Sequence, residues 1–200
     1  MSHSGGPHGP NHWAVRHSGA SRRYCLGGRL YLGAAWAWSI EEMKKPPGVD
    51  RRYAGFTFGY NRPLLANRVH DILTAVAYEK APEKTTIHLV GFEAAGPWVI
   101  LARALCGEMV ARTAADLNGF RFENVQSNGD QMMLPGALKY GGLPAFAALC
   151  APHELLVHNL EGCGSSDWLK AAFQATGSHD HLTENRDKVS PEKVVQWLLR

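Results

Sequence analysis

The chain has 200 residues, 45% of them hydrophobic and 20% charged, with a formal net charge of +3. That is enough apolar material for one sizeable domain, and it excludes a disordered, collagen-like or disulfide-stapled class. No run of eighteen apolar residues exists to form a spanning helix, and the polar start is not a secretory signal. Cys25, Cys106, Cys150 and Cys163 are far apart and form no CxxC pair, so reduced thiols in a cytoplasmic protein are expected.

The charge is uneven. Residues 1–60 carry eight Lys/Arg against three Asp/Glu, and the rest carries thirteen against fifteen. The basic excess is scattered and has no interleaved aromatics, which argues against nucleic acid as a partner. Residues 1–28 are rich in Gly, Pro and His and show no apolar period, so they read as a flexible arm. Residues 29–38 are apolar and aromatic, fitting a strand or a short buried helix, before Pro46-Pro47-Gly48 breaks the chain.

From residue 63 onward the rhythm is regular. Leu64, Leu65, Val69, Ile72, Leu73 and Val76 recur at helical spacing behind Pro63. A strand follows over 86–90, then a helix over 94–105, a strand within 110–117 and a helix over 143–150. A strand over 155–158, a helix over 166–175 and a last amphipathic helix opening at Ser190-Pro191-Glu192 complete the chain. Strand–helix alternation implies a parallel sheet covered by helices. The domain expected is a single α/β unit over 29–200.

Gly91-Phe92-Glu93-Ala94-Ala95-Gly96 lies where a strand enters a sharp turn and a helix leaves it, the context of a nucleophile elbow. With residues 56–63 and 115–120, this stretch resembles the C-terminal part of α/β-hydrolases, nearest to acetyl-xylan-esterase-like and dienelactone-hydrolase-like members. The resemblance runs over roughly 50–200 and implies a truncated α/β-hydrolase-like parallel sheet flanked by helices. The nucleophile position holds Glu93 in place of serine. The resemblance places the family's acid near Asn159 or Glu161 and its histidine in the loop before the last helix, at His179 or His181.

Functional crevices of parallel sheets lie at the carboxyl ends of the strands. Glu93, Asp116 and His158 each end a predicted strand, and His179-Asp180-His181 is expected to cross the same rim. Glu93, His158, His179 and His181 therefore form a candidate zinc (or other divalent metal) set. Glu93, His158 and Asp180 are the candidate catalytic groups around a metal-activated water. The substrate class is a small-molecule ester, carboxylic or phosphoric. A metal-free enzyme with Glu93 as base or Cys163 as nucleophile, and a catalytically silent interaction domain, are the alternatives. Asp116 is expected to anchor the Asn118-Gly119 turn, His88 to be a core histidine and His70 to be solvated. A sheet lacking its early strands leaves an open edge, so a homodimer is expected.

Overall fold

Alternation of buried strands with helices produces one six-stranded sheet in the computed structural model, which describes residues 12–18, 23–27, 58–59, 61–80, 86–163 and 165–200. The strands are β1 (His12–Ser18), β2 (Arg23–Gly27), β3 (Thr86–Gly91), β4 (Arg112–Asp116), β5 (Glu154–His158) and β6 (Leu182–Asn185). The helices are α1 (Leu64–Lys80), α2 (Ala95–Cys106), α3 (Gly142–Ala148), α4 (Asp167–Ala175) and α5 (Pro191–Leu198).

The strand order is β2-β1-β3-β4-β5-β6. β3 to β6 are parallel, with His88 opposite Arg112 and Asp116 opposite His158. His158 in turn faces Asn185 across the last pair. The α/β character expected from the sequence is therefore present as a four-strand parallel sheet flanked by helices. β1 runs antiparallel to both β2 and β3. Two strands thus lie within the stretch expected to be a flexible arm. The exposed edge of β3 supplies the reason, because its unpaired backbone groups take a strand wherever one can reach. The apolar segment 29–38 lies outside the described residues.

Side-chain alternation divides the core into two unequal halves. Ile87, Leu89, Ala115, Leu155 and Val157 point to the face covered by α1, α2, α3 and α4. Val90, Ala114 and Leu156 point the other way and are covered by α5 through Val194 and Leu198. α2 is buried along almost its whole length, including Val99, Ile100 and Ala102. Arg112 fastens α5 from below: its Nη1 donates to the carbonyls of Trp197 at 3.2 Å and Leu198 at 3.4 Å, while its Nε meets Glu154 Oε2 at 2.6 Å. No helix among the described residues is long and apolar enough to cross a membrane.

Candidate active site

β3 ends in a sharp turn whose backbone admits little besides small residues. A Cβ on Gly91 would come within 2.6 Å of the Ala95 carbonyl oxygen. One on Gly96 would come within 1.8 Å of the Asp116 carbonyl oxygen. The start of α2 therefore lies directly against the end of β4. Between the two glycines, Glu93 has φ 53°. That left-handed conformation costs a non-glycine residue on the order of 1–3 kcal/mol when held by its surroundings. Ala95 N–H donates to the Phe92 carbonyl at 3.0 Å and Gly96 N–H to the Glu93 carbonyl at 3.1 Å, which closes the turn.

The Glu93 carboxylate stands at the carboxyl rim with 41% of its side chain exposed, and Lys188 Nζ lies 3.5 Å from its Oε1. The same ammonium is 3.6 Å from Oδ2 of Asp116, which is fully buried. Asp116 Oδ1 accepts the Asn118 N–H at 3.0 Å and Asn159 Nδ2 at 2.8 Å. The first of these bonds is the turn-anchoring contact expected of Asp116. Asn118 (φ 46°) and Asn159 (φ 58°) both take the left-handed backbone that asparagine tolerates better than most residues.

His158 ends β5 beside Asp116 and is fully buried. Its Nδ1 accepts the Val189 N–H at 3.3 Å, so the neutral ring carries its proton on Nε2. Burial pushes its pKa below the ordinary histidine value, and Lys188 acts the same way, while the Asp116 charge opposes them. His158 is thus a neutral group beneath the rim, tied to the loop that carries Lys188.

His179 and His181 do not join this group. They form a short turn immediately before β6, at the amino ends of the parallel strands. His181 Nδ1 lies 2.6 Å from the carbonyl oxygen of Pro152, which precedes β5. His181 and the level of His158 are thus separated by the four-residue length of β6, roughly 13 Å. Asp180 is exposed and contacts His179 Nε2 at 3.0 Å. The placement of these three residues on the carboxyl rim is corrected accordingly. The physical reason is β6 itself: with Leu182 as its one apolar residue, it has no readable alternation. The loop that truly precedes the last helix is 186–190. It offers Lys188, which sequence reasoning missed and which only its distance to Glu93 and Asp116 reveals.

Among the described residues no three His, Cys, Asp or Glu side chains come together as a group able to hold a metal ion. Of the candidate zinc set only Glu93 and His158 share a rim, and His158 Nδ1 is already engaged. Among the described residues the expected zinc ligands are therefore not brought together. Cys163 is half-buried, and its Sγ faces the Asn159 carbonyl at 3.9 Å. Burial raises its pKa, against a smaller lowering by a backbone hydrogen bond at Gly119. No imidazole is placed to deprotonate it among the contacts of the described residues. His88 is buried, as expected of a core histidine, and His70 is exposed.

On the sheet face covered by α3 and α4, a cleft of about 290 Å³ opens between these helices and the ends of β4 and β5. No protein-family model matches this chain, and neither a curated protein nor a solved structure shows significant similarity to it.

Proposed function

We propose that the chain is a metal-free hydrolase of small carboxylic esters on an α/β scaffold, with Glu93 as general base. The observation that carries this reading is Glu93 itself: a carboxylate held at φ 53° on a strand-to-helix turn, next to an ammonium. Glycine would satisfy the same backbone without strain. The retained side chain is what the strain supports.

Glu93 takes a proton from water as the water oxygen attacks the ester carbonyl carbon. Negative charge then builds on the carbonyl oxygen, and the Lys188 ammonium is placed to counter it. Collapse of the tetrahedral intermediate breaks the bond to the alcohol oxygen, which recovers the proton from Glu93. Asp116 and Asn159 hold Lys188 and the strand ends in register. The Lys188–Glu93 pair is partly exposed and worth under about 1 kcal/mol, so a substrate can part it.

Hydrolysis of p-nitrophenyl acetate tests the reading. Turnover should survive chelation, a serine-directed fluorophosphonate and Cys163→Ser, and should fall by about 10²–10⁴ in Glu93→Gln. Wild-type turnover no greater than that of Glu93→Gln would overturn it and favour a catalytically silent domain.

A further inference from the structure

The cleft of about 290 Å³ has aliphatic walls. Leu117, Leu143, Ala147, Leu160 and Leu169 supply them, and Arg186 stands at the mouth. Its volume is about twice the ~150 Å³ that holds one benzene ring, room for a chain on the order of ten carbons. Pockets of this build take apolar ligands and orient them by a few polar groups.

The cleft and the proposed catalytic groups adjoin the same two strand ends from opposite faces of the sheet. Leu117 follows Asp116 in sequence, and Leu160 follows Asn159, whose side chain donates to Asp116. The Leu160 N–H donates to the Arg186 carbonyl at 3.0 Å, and the Asn159 N–H donates to the Asp187 carbonyl at 3.1 Å. The segment that walls the cleft at Arg186 therefore continues within two residues to Lys188. A chain lying against the leucines meets Arg186 as the one cation of the cleft lining among the described residues, with Lys188 two residues further along the same segment. Glu161 also lines the mouth, so a neutral alcohol is the competitor to be separated from an acid.

We infer that this cleft binds a medium-chain carboxylic acid, the acyl half of the ester proposed above, with Arg186 meeting the carboxylate. The inference rests on the proposed function for the word acyl, but the binding itself does not require turnover.

Cys163 lines the cleft and is partly accessible, whereas Cys106 and Cys150 are buried. Alkylation of the intact chain by iodoacetamide at mildly alkaline pH, mapped by mass spectrometry, reads occupancy directly. Octanoate should protect Cys163, and each two carbons removed should raise the half-protecting concentration about tenfold. Arg186→Gln should weaken octanoate several-fold and leave octanol unchanged. Absence of protection, equal protection by butyrate and octanoate, or octanol protecting better than octanoate overturns the inference. If octanoate protects but no ester is turned over, the cleft stands and the catalytic reading fails. If p-nitrophenyl acetate and octanoate esters turn over equally, catalysis stands and the cleft is not its acyl site.

Discussion

Glu93 and His158 show two ways in which one residue can carry a penalty for the sake of a site. Glu93 sits at φ 53° with a side chain half in solvent, so its strain is offset by neighbours and not by its own burial. Glu93→Gly should therefore stabilise the fold by about 0.5–1 kcal/mol, the relief of strain exceeding the entropy of glycine and the lost ion pair. It should abolish ester turnover in the same preparation. Urea denaturation checks the first effect, and a lowered midpoint would show that the turn is unstrained. His158 pays through desolvation. Its pKa in the fold lies below the value of about 6.5 in the unfolded chain, and burial lowers that of His153 as well. As pH falls through 6.5 the unfolded chain takes up protons that the fold refuses. Stability is therefore fully present above that pH and declines below it until the folded pKa values are reached. The urea midpoint should drop between pH 7.5 and 5, and a flat profile would contradict the burial argument. At this scale the sequence revealed Glu93, Asp116 and His158, because strand ends are readable from apolar runs. Lys188 escaped, since nothing in Arg186-Asp187-Lys188 announces a partner ninety-five residues away.

The elements differ in how plainly their sequences declare them. The helix expected over 94–105 is observed as Ala95–Cys106, and the one expected over 166–175 as Asp167–Ala175. Both have strong apolar faces and clear stops. The strand expected within 110–117 is Arg112–Asp116. β6 and the β1–β2 pair were not legible, because a four-residue polar edge strand and two short strands of mixed basic and apolar residues gain their structure from pairing and not from pattern. The contact that fixes the site at this scale is α2 against β4. Gly96→Ala places a methyl group 1.8 Å from the Asp116 carbonyl oxygen, so the helix must lift from the strand. The expected loss is about 3 kcal/mol, at the upper end of overpacking penalties, because both neighbours are backbone. A denaturation midpoint within experimental error of wild type would disprove the close approach.

For the whole molecule, the decisive feature is which edges of the sheet are left. The homodimer expected from an open sheet was motivated by missing early strands, yet β1 pairs along β3 through six residues, from Trp13 opposite Gly91 to Ser18 opposite Thr86. At that edge the motive is gone. What remains of the described sheet is β2 at one side and β6 at the other, and β6 is short and carries Glu184, both features that discourage pairing. Deleting residues 1–27 should uncover the β3 edge. Light scattering at micromolar concentration should then give a mass several times that of the intact chain, or visible aggregation. A truncated chain that stays at the size of the intact one would show that the hairpin does not guard the edge.

Among the described residues the last helix alone covers its face of the sheet, and it is continuous with the loop that reaches the rim. Val194 and Leu198 dock on Val90, Ala114 and Leu156, while five and six residues before Val194, Val189 and Lys188 touch His158 and the carboxylates. Opening of α5 thus loosens the rim contacts of Lys188 and Val189, although Arg186 and Asp187 stay bonded to Leu160 and Asn159. Local opening of a short terminal helix requires far less free energy than global unfolding. The fraction of molecules with α5 seated sets the fraction competent for the proposed turnover, and the apparent rate scales with it. Arg112, which grips the final carbonyls of the helix, thereby bears on the seating of Lys188 although it sits at the opposite ends of the strands. In Arg112→Met the amide of Val189 should exchange with solvent at least tenfold faster, and the proposed ester turnover should fall in proportion to the molecules that have come unseated.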